Sequence, residues 1–444
     1  MIIVTPCAKI NLGLNITERR PDGYHNLETI FYPIPIFDVI TIKEQEQNSA
    51  PLSLKIEGNK ILGNPADNLI AKAYNILHNK YDLPPVEIAL KKNIPTQAGM
   101  GGGSADCAYT LSALNEMFHI GLSNNELCSI ATKLGADCPF FINSSPCYAE
   151  GIGEIMSPIS ISLDRYWIMI VKPDIYVSTK EAFGGITPQR PEVCCKDIVK
   201  MPLEEWKDKL VNDFEKTIFK IHPRLREIKE ELYRSGAIYA SMSGSGSALY
   251  GIFRDKPQTI PAKDCRIEIL RMRGAMERFP IVDDYGKTIG QTTRAFAHGG
   301  EKPLHPVVHL HIFNSNGDLY LQKRPMWKDV QPGKWDTAVG GHVDYGEKTI
   351  DALKRESREE VGIKDFTPKS MGSYVYESNI EKEYINVFSI VYDGVLNPSS
   401  EELDEGRFFS KDEICHNIGK GLFTPNFESE WLKYFGNGQD KKEK

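Results

Sequence analysis

The sequence predicts two α+β domains joined end to end, and three observations carry that reading. The chain has 444 residues, more than one hydrophobic core usually organises. Strand-like and helix-like apolar periods alternate along it. Two unrelated patterns of glycines and acids, both of a kind that handles phosphate, stand in opposite halves: Gly99-Met-Gly-Gly-Gly-Ser104, and the stretch from Gly341 to Gly362. Composition agrees with a soluble globular enzyme, at 41% hydrophobic and 25% charged residues. A net charge of −7 and the lack of a polybasic run argue against a nucleic-acid partner. No apolar run approaches the ~20 residues of a membrane span, and the N-terminal apolar residues follow no basic segment, so they read as a strand rather than a signal peptide. The nine cysteines are odd in number, contain no CxxC pair and include the adjacent Cys194-Cys195, a pattern expected of reduced thiols. These features point to a cytoplasmic protein with small-molecule substrates.

In the first domain, Ala8, Ile10, Leu12, Leu14 and Ile16 alternate with Lys9, Asn11, Gly13 and Asn15. Such alternation makes a strand that projects Lys9 and Asn11 to one side, although a lone strand lysine is usually just solvated. Ile94-Pro95 ends a further strand. Gly99, Gly101, Gly102 and Gly103 then form a turn with almost no side chains, and helical spacing follows from Ser104 through Ala108, Leu111, Leu114 and Phe118. Glycines let backbone N–H groups close around phosphate oxygens, and a helix N-terminus adds positive potential. Ser104 caps that helix, ligates Mg²⁺, or does both. No Lys-Ser/Thr follows the glycines, which excludes a Walker A loop, and the G-x-G-x-x-G spacing of a dinucleotide site is absent. On its own the run fits a structural turn equally well. Asp137, in Leu134-Gly-Ala-Asp-Cys-Pro139, stands beside a helix-ending proline. The 247–253 and 265–270 stretches read as strands, and Arg271-Met-Arg-Gly-Ala-Met276 as a linker, giving domains at 1–274 and 275–440 with a charged, disordered tail at 441–444.

Three motifs in order, Pro6-Cys-Ala-Lys-Ile-Asn11, the glycine loop and Ser241-Met-Ser-Gly-Ser-Gly246, resemble those of the GHMP kinase superfamily over roughly residues 1–255. Arg20-Pro-Asp-Gly-Tyr-His-Asn-Leu27, Leu134 to Phe141 and Val177-Ser-Thr179 are most similar to its 4-diphosphocytidyl-2-C-methyl-D-erythritol kinase family. The resemblance implies a two-lobed fold and ATP-dependent phosphorylation of the substrate's 2-hydroxyl in the non-mevalonate isoprenoid pathway. It makes Asp137 the base and Lys9 its partner. It gives Pro95, Gly99, Gly101, Gly102, Gly103, Ser104, Gly244 and Ser245 to ATP, and Asn11, Tyr24, His25, Thr179 and Phe183 to the substrate. Tyr24 and Phe183 would sandwich the cytosine ring and His25 bond its edge, or the two aromatics pack in the ordinary way. Met100 and Cys107 replace the commoner Leu and Ala.

In the second domain, residues 278–293 resemble a hairpin turning at Asp284-Tyr-Gly286, and 307–313 and 319–323 read as strands joined by Asn314-Ser-Asn-Gly317. The 349–361 stretch has helical period and places Glu356, Glu359 and Glu360 on one face. Glutamates at that spacing repel unless a cation lies among them, and hard oxygen donors favour Mg²⁺ or Mn²⁺. A Glu-rich helix alone is most often a solvated face, but here Gly341, Glu347 and Arg355 precede it at fixed spacing. The whole resembles the Nudix box, which implies an α/β/α sandwich that hydrolyses a diphosphate. Glu356, Glu359, Glu360 and the Gly341 carbonyl would be metal ligands, and Arg355 would orient Glu347. Ser357 departs from the family's aliphatic residue. The flanks resemble the Nudix branch nearest to isopentenyl diphosphate isomerase, in which a catalytic cysteine stands where this chain has Gly340. Glycine cannot carry a proton, so hydrolysis is expected over isomerisation. His309, His311 and His342 are metal or substrate contacts, or structural.

Overall fold

The computed structural model describes residues 1–61, 67–260, 262, 264–326, 331–398 and 404–436; the expected tail at 441–444 lies outside them. Two compact units emerge: Met1–Glu277 with Thr293–Phe296, and Arg278–Thr292 with Ala297–Lys444. Thr293–Phe296 returns to the first unit because Ala295 and Phe296 pack with Met276 on its core, Phe296 meeting Phe37 edge-on at 5.7 Å.

The first unit has two lobes built on three sheets. One sheet pairs Ile2–Val4, Val39–Glu44 and Val86–Lys92 antiparallel, with Leu52–Gly58 parallel to the last. Its apolar side packs on the helices Leu69–Tyr81 and Gly102–Met117. A second sheet runs Cys7–Arg19, His25–Phe37, Cys147–Glu150, Ile155–Pro158, and a third runs Tyr239–Met242, Leu249–Phe253, Trp167–Pro173, Cys265–Arg271. The Cys7–Arg19 strand is buried on both faces, so Lys9 (3% exposed) and Asn11 (2%) sit in the interior rather than in solvent. Its pairing shifts between Leu12 and Leu14. There Gly13 takes φ +68°, and a Cβ would press 2.6 Å from Leu210. The shift hands the strand from one apolar cluster (Ala8, Ile10, Leu12) to the next (Leu14, Ile16).

The second unit is a mixed seven-stranded sheet between helices. His305–Phe313 runs parallel to Lys382–Val391 and antiparallel to Val339–His342 and Leu319–Lys323. Val308, Leu310 and Ile312 pack against Ala352 and Leu353 of the Thr349–Glu360 helix. His309 and His311, on the opposite side of the same strand, meet Glu430 of the Pro425–Tyr434 helix. Strand alternation therefore produces the α/β/α layering directly. Ser357 is fully buried, and its hydroxyl donates to the Leu353 carbonyl at 2.7 Å, which satisfies the polar atom in place of the usual aliphatic packing.

Candidate functional sites

In the first unit the three motifs converge. The Lys9 N–H donates to the Met100 carbonyl at 3.0 Å, tying the strand to the glycine loop. Ser243 Oγ donates to the Gly99 carbonyl at 2.8 Å. Gly99 has φ +73°, and a side chain there would collide with the Ser243 carbonyl; at Gly101, φ +72°, a Cβ would stand 2.7 Å from the Phe141 ring. Gly102 is required for another reason: a Cβ would lie 2.9 Å from Lys92 Nζ. Gly103 meets no such obstacle, with its nearest neighbour, Leu69, at 4.0 Å. At Gly244 a Cβ would crowd Gly99 at 3.1 Å and Asn11 Oδ1 at 3.4 Å, so small residues of the last motif line the same hollow.

Lys9 Nζ points into this hollow. It donates to Asn11 Oδ1 at 2.5 Å and stands 3.6 Å from Asp137 Oδ2 and 4.9 Å over the Phe31 ring. Burial lowers the lysine's pKa, while the Asp137 carboxylate works against that shift. Asn11 is itself fixed, donating to Thr29 Oγ1 at 2.9 Å. The Asp137 side chain is 36% exposed.

In the second unit Arg355 organises the acids. It bonds Glu347 through Nε (3.1 Å) and NH2 (2.9 Å), Glu356 through NH1 (2.6 Å), and the His342 carbonyl (3.0 Å); Glu359 lies 3.6 Å away. Burial pushes Glu347 up, but the Arg355 bonds and the Asp344 N–H outweigh it and hold its pKa low; burial keeps Glu356 above its usual value despite Arg355. At Gly341 a Cβ would overlap the Glu356 carboxyl as it stands, so any side chain there would displace that glutamate. Glu360 accepts from the Gly340 N–H (3.2 Å) and Gln322 Nε2 (3.3 Å). Three carboxylates on one helix face suit a hard divalent cation. A separate cluster, His298, His305 and His342, brings three imidazole nitrogens within 4.8 Å of one another, with His342 stacked on Phe279 at 4.3 Å. That set can hold a borderline transition metal rather than Mg²⁺.

Models of known families match along this chain: the GHMP kinases N terminal domain at residues 68–145, the GHMP kinases C terminal domain at 196–263, and the NUDIX domain at 303–427. A curated relative from Bacteroides thetaiotaomicron, named 4-diphosphocytidyl-2-C-methyl-D-erythritol kinase, is 51% identical over 275 residues, which is 62% of this chain and 100% of that protein. The chain belongs to the 4-diphosphocytidyl-2-C-methyl-D-erythritol kinase family. A relative of the same name from Bacteroides fragilis is 52% identical over 252 residues, 57% of this chain and 92% of its own. A crystal structure of 4-(cytidine 5'-diphospho)-2C-methyl-D-erythritol kinase covers 56% of this chain and 90% of that one, at 29% identity and a TM-score of 0.49. The NUDIX match falls outside the 1–277 segment, so this kinase-family member carries a further domain.

Against that family assignment, one expectation changes. Ser104 is not the helix cap: the helix begins at Gly102, and Gly101 occupies the cap position without a side chain. Tyr24 is 61% exposed, while Phe183 stacks on His25 at 4.8 Å and meets Phe214 edge-on at 4.8 Å. Thr179 opens the helix that carries Phe183. Pro95 and Ser245 lie half-buried on the loops at either side of the hollow.

Sequence reasoning missed several supports in the kinase-family unit. Asn212 Nδ2 holds the last glycine motif through the Met242 (2.7 Å) and Gly244 (2.8 Å) carbonyls. Lys92 (2% exposed) binds Asp38 at 2.5 Å and Asp106 at 2.6 Å directly beneath Gly102. No local pattern marks either. In the second unit, His298 and His305 were missed. Among the described residues, no helix is long and apolar enough to cross a membrane.

Proposed function

We propose that the first unit transfers the γ-phosphoryl group of ATP to the 2-hydroxyl of 4-diphosphocytidyl-2-C-methyl-D-erythritol, and that the second hydrolyses a diphosphate compound. The observation that carries the first reading is the buried Lys9 ammonium 3.6 Å from a half-open Asp137 carboxylate, at the edge of a glycine hollow that a methyl group would fill. Asp137 removes the hydroxyl proton as the substrate oxygen bonds to phosphorus. The bond from phosphorus to the bridging oxygen then breaks and ADP leaves. Lys9 holds Asp137 in place and offsets charge on the transferring group. The N–H groups of the 99–103 loop and the helix N-terminus hold the remaining phosphate oxygens. Mg²⁺ would shield the phosphates, and Ser104, in the first turn of the helix, would be a ligand for it. Asp137→Asn should cut turnover by roughly 10²–10⁴-fold, the scale of a general base, with substrate binding kept. Turnover near wild type in a coupled ADP-release assay would remove Asp137 from this role.

For the second unit, the Glu347–Arg355 clamp and the glutamates at 356, 359 and 360 support a Mg²⁺- or Mn²⁺-dependent attack of water on a diphosphate. Glu359→Gln should abolish metal-dependent phosphate release across a panel of nucleoside, sugar and isoprenoid diphosphates and leave kinase turnover intact. Isomerisation of isopentenyl diphosphate is the alternative. Gly340 offers no proton donor, so hydrolysis is preferred. Metal-dependent formation of dimethylallyl diphosphate by the wild-type chain would reverse that preference.

A further inference from the structure

Gly340 is a solvent-exposed glycine with charged groups on two sides. Its N–H bonds Glu360 at 3.2 Å. In the direction where a side chain would point, the His309 ring lies 3.5–3.6 Å from the position of a Cβ, since the two residues are register partners on neighbouring strands. The His309 side chain is only 10% exposed, and with glycine at 340 no side chain covers its Cδ2–Nε2 edge.

The buried end of that ring is firmly held. His309 Nδ1 bonds Glu430 Oε1 at 2.7 Å. The other Glu430 oxygen takes His311 Nε2 at 2.8 Å, and the Tyr374 hydroxyl donates to Oε1 at 2.7 Å. Glu430 is fully buried. A carboxylate so placed fixes the ring's orientation and its charge. Burial acts to lower the His309 pKa, but Glu430 outweighs it and the value rises to about 9. Two other acids lie near the ring. Asp336 bonds Arg324 NH1 (3.1 Å) and the Thr424 hydroxyl (2.7 Å), and burial lifts Glu383 to about 8. An ordinary core histidine needs neither a dedicated buried carboxylate nor an opening made by a glycine.

We propose that His309 is the cationic contact for a phosphate group of the second unit's substrate, reached over Gly340 while metal held by the helix glutamates engages the same diphosphate. This rests on the diphosphate-hydrolase reading. It makes His309 a binding residue, and Glu430 the residue that positions and charges it. It also gives Gly340 a purpose in this chain: any side chain there would close the opening.

The test uses the full-length chain, Mn²⁺ and inorganic pyrophosphate. Calorimetry first measures Mn²⁺ binding, then pyrophosphate binding to the Mn²⁺-loaded protein, with Glu359→Gln as the baseline that subtracts any anion bound at the kinase site. His309→Gln should keep Glu359-dependent Mn²⁺ binding, which also shows the unit is folded, and weaken pyrophosphate by about 10–100-fold, the scale of one charge-assisted hydrogen bond. Gly340→Val should do the same by covering an unaltered ring. Wild-type pyrophosphate affinity in both variants overturns the proposal, as does a wild-type protein that binds Mn²⁺ but no pyrophosphate. Loss of Glu359-dependent Mn²⁺ binding in the wild type itself would instead sink the hydrolase reading.

Discussion

Replacing Lys92 by Met tests whether the glycine loop stands on a buried ion cluster. Lys92 Nζ bonds Asp38 (2.5 Å) and Asp106 (2.6 Å), whose side chains are 0% and 4% exposed. Asp38 also accepts the N–H groups of Asn93 (2.6 Å) and Ile94 (2.8 Å), just before the loop. Methionine keeps the volume but leaves two acids facing each other out of water. Removing one partner of a buried pair costs about 3–5 kcal/mol. At about 2–4 °C per kcal/mol for a domain of this size, the first unit should melt about 6–20 °C lower. The deficit should depend on pH. Burial already lifts the Asp106 pKa well above its usual value, with Lys92 opposing, and losing Lys92 should lift it further. A raised folded-state pKa contributes stability that is whole below the unfolded value of about 3.9 and is lost as pH climbs through the folded one. The variant's deficit should therefore be smaller at pH 5 than at pH 8, and Asp106→Asn added to Lys92→Met should recover part of it. Differential scanning calorimetry across that range, with the Michaelis constant for ATP measured in parallel, checks each point. A melting temperature within about 2 °C of wild type at pH 8 would refute the claim that the trio supports the loop.

Two further outcomes follow from the kinase-family site. Gly99→Ala puts a methyl group into the Ser243 carbonyl at a φ of +73°, so ATP affinity should fall at least about tenfold from the added strain; an unchanged Michaelis constant for ATP would show that the loop is free to shift. Phe183→Ala removes the ring that His25 stacks on, and should raise the Michaelis constant for the cytidine substrate about two- to tenfold while leaving that for ATP alone. The opposite split would take Phe183 out of the substrate pocket.

The sequence by itself determined the chemistry-bearing residues wherever a motif is local. Strand period places Lys9 and Asn11 together, helix period places Glu356, Glu359 and Glu360 on one face, and the structure sets Arg355 on Glu347 as the Nudix resemblance implied. Tertiary structure decided the rest, because the forces involved act between residues far apart in the chain. Lys92 meets Asp38 across 54 positions, and its charge is tolerable only once burial brings both acids to it. Asn212 reaches Gly244 across 32 positions. The ring neighbours of Phe183 are not legible in the sequence. In the fold, Phe183 belongs to His25 and Phe214, because stacking is settled by which helix packs against which strand rather than by residue type. His309 reads as one more strand histidine until Glu430, 121 positions later, comes within 2.7 Å of it. A buried charge has no local signature: its cost and its compensation exist only in the packed state.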